Sequence, residues 1–202
     1  MKAWSPAVLV LIALAALGAS PVGAEQSTLV LDPSASKVGF TLDATGHTVE
    51  GTMAVKSGRI VFDPATGAAS GEIVLDLKSA RTGSDGRDDD MHKKVLETGK
   101  FPTATFRAEK VRGAVAPSGT SQITLDGTLT FHGADHKMSL PAKVAVENGR
   151  ARADTQLQIP YVQWGLHDPS VFVLRVAKVV DVTVNAVGTF ETADGAAAGT
   201  KK

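Results

Sequence analysis

The chain has 202 residues, with 21 Lys and Arg against 21 Asp and Glu, and no cysteine. Balanced charge excludes the basic footprint of a nucleic-acid binder. The lack of cysteine excludes disulfides, thiol catalysis and Cys-based metal sites, and the length suits one domain with a real core.

Met1 to Ala24 reads as a secretory leader. Lys2 is its only charge, Ala7 to Leu17 is an apolar run, and Val22-Gly23-Ala24 offers small residues for cleavage. The run falls short of the roughly twenty residues of a comfortable transmembrane helix; a retained N-terminal anchor is the other reading. The expected layout is therefore a signal peptide at 1–24, a barrel domain at 25–191 and a disordered tail at 192–202.

From Leu29 the pattern has period two, broken by turn residues. Val38, Phe40 and Leu42 alternate with polar or small partners, and Gly46-His47 turns the chain into Val49 to Val55. Ser57-Gly58 predicts a tight turn into Arg59 to Phe62, and Pro64 to Gly67 closes that run. Ile73, Leu75 and Leu77 then mark an apolar strand face.

The stretch Arg81 to Phe106 carries the one convincing helix beyond the leader. Asp88 suits the N-cap, Asp89 and Asp90 the first turn, and His92, Lys93 and Lys94 the negative end. Met91, Val95 and Leu96 form a narrow apolar face, Gly99 suits the C′ position and Pro102 prevents continuation. The expectation is a short lid helix near residues 88–97 that covers something apolar: either a cavity or simply the end of a core.

Strand patterning resumes at Ala104 to Val111 and at Ile123 to Phe131, and Gly133-Ala-Asp-His136 predicts a hairpin. Met138 to Val146 follows, with Pro141 suggesting an edge or bulge. Asn148-Gly149 is the strongest hairpin dipeptide. Arg150 to Ile159 returns, a long loop spans Pro160 to Ser170, and Val173 to Phe190 reads as an unusually long last strand.

About eight antiparallel strands in one domain predict a closed barrel, because closure removes exposed edges. Such a barrel is either filled by its own side chains or holds one small ligand. With 20 Gly but only seven Phe, two Trp and one Tyr, the composition leans toward the hollow form.

Taken in order, several motifs resemble the YceI-like family: Ser36-x-x-x-Phe40, Gly46-His47 with Gly51 after it, Gly58-Arg-Ile-x-Phe62-Asp63, Arg87-Asp-x-x-Met-His92, Lys100-Phe-Pro-x-Ala-Thr-Phe106 and Gly127-x-Leu129-Thr-Phe-x-Gly133. The resemblance spans about Thr28 to Phe190. It implies an all-β, lipocalin-like eight-stranded antiparallel barrel, exported to the periplasm, with no catalysis and no cofactor. It also implies that the barrel holds a long-chain amphiphile, such as an isoprenoid quinone, a polyprenyl chain or a fatty-acyl lipid. The aromatic loop Ile159 to Ser170 departs from the family, in which this loop is often shorter. Transient membrane contact and a homodimer stay open.

On this reading Phe40, Phe62, Leu75, Leu77, Phe106, Leu129, Phe131 and Leu157 are expected to meet the bound chain. Met91, Leu96 and Phe101 join them from the lid stretch, and Arg81, Arg87, His92 and Trp164 are the candidates for the headgroup at the mouth. Asp88, Asp90 and His92 make a poor metal site, since residues two apart on a helix do not face each other. His132 and His136 could face each other across a hairpin. No Gly-x-Ser-x-Gly elbow or paired-carboxylate signature stands out, so an enzyme is not expected. The alternative to a lipid carrier is a filled barrel acting as a structural or stress-related interaction module.

Overall fold

The computed structural model describes residues 26–192. The expected leader and nearly all of the expected tail lie outside them. The strands are β1 (Ser27–Leu31), β2 (Lys37–Ala44), β3 (His47–Phe62), β4 (Ala69–Arg81), β5 (Thr103–Arg112), β6 (Gly119–Phe131), β7 (Ala134–Glu147), β8 (Arg150–Ile159) and β9 (Val180–Glu191). One helix, α1 (Asp85–Asp90), runs on into a π-helical turn, Met91–Val95, between β4 and β5.

From β2 to β9 each strand pairs antiparallel with the next, and β9 returns to β2, so the sheet closes. β1 lies in line with β2: both fit between β3 and β9, β2 against Asp181–Asn185 of β9 and β1 against Gly188–Glu191. Nine strands thus make the eight staves of the expected barrel. The stave breaks where the Asp32 carboxylate accepts from the Ser34 amide at 2.9 Å and the Ser34 hydroxyl at 2.6 Å. These bonds hold the Asp32 carboxyl below the usual range, the Ser34 hydroxyl first.

Left-handed residues make the tight hairpins. His132-Gly133 (φ 50° and 79°) joins β6 to β7, and Asn148-Gly149 (φ 50° and 73°) joins β7 to β8, as two-residue turns of this twist require. The former turn sits earlier than Gly133 to His136; Ala134 to His136 already belong to β7.

Three further expectations are corrected. Ser57-Gly58 is no turn: β3 runs unbroken for 16 residues, with register shifts at Thr52/Ala54 and Val55/Ser57. The second of these bulges flips the strand's facing, so Val49 and Val55 are buried before it, and Ile60 and Phe62 after it. The last strand starts at Val180, leaving Pro160 to Val179 as a long, mostly loop segment. The helix starts at Asp85 with Ser84 as N-cap, and Glu97 (φ 46°) rather than Gly99 takes the left-handed position at its end.

Candidate functional site: a lidded apolar cavity

Alternation fixes what faces inward. Phe40 and Leu42 of β2, Ile73, Leu75 and Leu77 of β4, Leu125, Leu129 and Phe131 of β6, and Val180, Val182 and Val184 of β9 all point into one cavity of about 770 Å³. That volume lies within the roughly 300–1,000 Å³ range of small-molecule sites. Part of the wall is made of small side chains, namely Ala142, Ala151, Ala153 and Ala186. Larger residues there would have filled the barrel. Among the lining hydroxyls, those of Thr155 and Tyr161 are spent on backbone carbonyls, Pro141 at 2.7 Å and Ala177 at 2.8 Å.

One end is closed. Phe62 and Phe190 stack there with ring centroids 6.3 Å apart, packed with Val111, Val144, Val146 and Ala151. The other end opens between the α1 lid, the β2–β3 hairpin and the β8–β9 loop. Its lining includes Gly86, Arg87, Asp90, Met91 and Lys94 of the lid, Ala44 and His47 of the hairpin, and His167, Pro169, Val171, Leu174 and Val176 of the loop.

Both roots of the lid are tied down. At its start, the Asp88 carboxylate accepts from the Thr82 amide at 2.8 Å and from the Thr82 hydroxyl at 2.6 Å. Arg87 donates from Nε to the same hydroxyl at 2.8 Å and from a terminal nitrogen to the Thr82 carbonyl at 2.9 Å. The Thr82 hydroxyl bond is the main reason that the buried Asp88 carboxyl sits below the usual range. Asp88 is therefore a clasp inside the helix and not its N-cap. At the far root, the Glu97 carboxylate lies 2.8 Å from His132 Nε2, an ion pair when the imidazole is protonated but poorly aligned as a hydrogen bond. Lys93–Asp89 pairs at 2.7 Å on the solvent side and Lys94–Asp90 at 2.7 Å beside the mouth, as the i,i+4 spacing predicts.

The residues expected at the site divide into two groups. Phe40, Phe62, Leu75, Leu77, Arg87, Met91, Leu96, Phe106, Leu129, Phe131 and Leu157 line the cavity. Arg81, His92, Phe101 and Trp164 do not. Arg81 donates to the Ala80 carbonyl at 2.6 Å and the Lys78 carbonyl at 2.9 Å. His92 Nε2 lies 3.0 Å from the Ala80 carbonyl and 2.9 Å from the Arg81 guanidinium, so its tautomer selects one partner. Phe101 packs on His132, centroids 4.4 Å apart, and over Gly133. Trp164 stacks on His136.

His132 and His136 do not face each other: the first sits in the turn beside Glu97 and Phe101, the second opposite Leu129 under Trp164. Among the described residues, no three His, Asp or Glu side chains are grouped to hold a metal ion. The cavity residues that the sequence reading missed include Leu29 and Leu31 of β1, Met53, Ile60, Met138 and Leu140. Alternation marks most of them; the loop residues at the mouth carry no such signal.

A hollow antiparallel barrel with a closed floor and a helical lid is a lipocalin-like architecture. Residues 29–188 match the YceI-like domain, and the chain belongs to that family. Among solved structures, it is similar to Burkholderia cenocepacia BcnA, at 24% identity and TM-score 0.63, covering 79% of this chain and 99% of that one. It is similar also to a polyisoprenoid binding domain from Saccharophagus degradans, at 20% identity and TM-score 0.65, covering 80% and 97%. A Campylobacter jejuni YCEI protein matches at 14% identity and TM-score 0.51, covering 69% and 80%. At these identities the structures speak to fold. No curated protein matches the sequence.

Proposed function

We propose that the barrel is a binding protein, not an enzyme, and that it holds the chain of a long amphiphile of isoprenoid or acyl type. The observation that carries this reading is the cavity, about 770 Å³, closed at one end and lined mostly by apolar side chains. The polyisoprenoid binding domain with the same fold supports it.

The energetics suffice without a strong polar contact. A chain of ~20 carbons at ~0.8 kcal/mol per methylene gains on the order of 15 kcal/mol gross. Lost freedom of ligand and protein takes back ~4–15 kcal/mol of that. The headgroup then rests at the mouth, within reach of Arg87 and Lys94. A cleaved leader would place the protein in the periplasm, where it carries, stores or senses its ligand.

Organic extraction of the protein purified from a bacterial periplasm, followed by mass spectrometry, tests this. The reading expects a stoichiometric isoprenoid or acyl species. A protein that extracts empty and stays empty after incubation with polyprenols, quinones and fatty amides would overturn it.

A further inference from the structure

Among the described residues, the exposed large hydrophobic side chains all fall in the β8–β9 loop: Val171, Phe172, Val173 and Val179, with Phe172 95% exposed. This loop is pinned at its base. The Val171 amide donates to the Leu174 carbonyl at 2.9 Å, which closes a tight tip. The Arg175 amide donates to the Thr45 hydroxyl at 3.0 Å, the Thr45 amide to the Arg175 carbonyl at 2.8 Å, and the Ala177 amide to the Asp43 carbonyl at 2.8 Å. On the other leg the Ser170 hydroxyl accepts from the Val176 amide at 3.0 Å. The legs are thus held to the β2–β3 hairpin and to each other, and the tip stands out as a fixed apolar finger.

The finger also forms part of the cavity mouth, through Pro169, Val171, Leu174 and Val176. Exposed Arg175 and Lys178 flank it, Lys178 lying 3.6 Å from the Asp168 carboxylate. An apolar tip of this kind marks an interaction surface. Three side chains expose far less than the roughly 800 Å² per partner that a stable protein interface buries, which argues against a second copy or a folded partner. A bilayer suits it: the aromatic and its valines reach the acyl boundary while neighbouring cations stay at the headgroups.

We propose that the Val171-Phe172-Val173 tip inserts into the surface of a lipid bilayer and holds the cavity mouth against it, so that an amphiphile passes between bilayer and barrel without crossing water. The transfer half of this proposal rests on the cavity reading above; the docking half stands on the finger alone.

Flotation with phosphatidylethanolamine–phosphatidylglycerol vesicles, mixed at about 3:1, tests docking. The protein is expected to float, and F172S/V173S to bind at least tenfold less. Because Phe172 is almost fully exposed, that variant should melt like the parent. In a Phe172→Trp variant the new indole is expected to shift to the blue on vesicles and to be quenched by brominated lipids. Equal flotation of parent and variant, or no flotation of the parent, would overturn docking. So would a parent dimer in ultracentrifugation that the substitutions abolish. Loading with geranylgeraniol from ethanol is read separately. A protein that floats but does not load counts against the cavity reading, whereas one that loads but does not float counts against docking.

Discussion

The Trp164 indole lies parallel to the His136 imidazole, with ring centroids 3.7 Å apart and planes at 11°. His136 belongs to a part of β7 that pairs only with β6. The β7–β8 ladder runs from Ala142–Thr155 to Glu147–Arg150 and leaves Ala134–Pro141 without β8 partners. Trp164, just after β8, bridges this seam and also meets Phe131 edge-on at 6.3 Å. Trp164→Ala should destabilise the barrel by about 2 kcal/mol, below the cost for a fully buried Trp because the side chain is only half-buried. Trp164→Phe should recover most of it. Thermal melts of the two variants check this.

Gly51 has no room for a methyl group. A Cβ there would lie 2.1 Å from the Phe40 ring, its cross-strand partner, and 2.7 Å from the Arg81 carbonyl. The ring could move, but the backbone carbonyl could not. Gly51→Ala should therefore cost about 2–3 kcal/mol, and Phe40→Leu should relieve only part of that. Denaturant melts of the single and double variants give the coupling.

The Thr82–Asp88 clasp makes lid stability depend on acid. The Thr82 hydroxyl and then its amide lower the folded pKa of Asp88 beneath the unfolded value near 3.9. The folded state therefore binds fewer protons than the unfolded one in that window. The stability so gained is full above the unfolded value and is lost as pH falls through it toward the folded one. Asp88→Asn should be less stable than the parent at pH 7 and show a shallower decline below pH 4. Thr82→Val should cost about 1–2 kcal/mol, since it removes both roles of the hydroxyl. Melts across pH 2–7 distinguish these outcomes.

Tyr161 gives the opposite limb. It is buried and donates to the Ala177 carbonyl at 2.8 Å, and burial, helped by the Asp168 charge, pushes its pKa up to about 12. Between the unfolded value near 10 and about 12 the folded state holds a proton that the unfolded state has lost, so stability falls as pH rises. Tyr161→Phe should cost about 1 kcal/mol at pH 7 and lack this alkaline loss. Alkaline melts of parent and variant check it.

Strand alternation made the barrel and much of its interior legible in the sequence, since a buried face must repeat every second residue. It failed wherever the facing changed within a strand. Beyond β3, β5 does the same, burying Ala104, Phe106 and Ala108 and then Val111 across a bulge at Ala108/Lys110. The helix start escapes the sequence because Asp88 has the chemistry of an N-cap but spends it on Thr82, six residues back. Arg81, His92 and Trp164 suit a headgroup at the mouth by residue type, and Phe101 a bound chain, yet their partners are set by tertiary neighbours that no local pattern encodes. The apolar finger escapes the sequence for the same reason: Val173 reads as the first residue of a strand, and Val171 to Val173 look like buried residues until their exposure is seen.

The proposed function requires that the cavity take a long apolar chain. Native mass spectrometry of the protein and of Leu75→Trp and Leu129→Trp, after incubation with geranylgeraniol, tests it most directly. Both leucines line the cavity, so an indole at either position occupies space a ligand needs. A hollow barrel should give a one-to-one adduct for the parent, loss of that adduct in both variants, and melting within about 1 kcal/mol of the parent, below the roughly 1–3 kcal/mol penalty of overpacking a filled core. A parent with no adduct, or variants that keep the adduct or collapse as overpacked cores do, would contradict it.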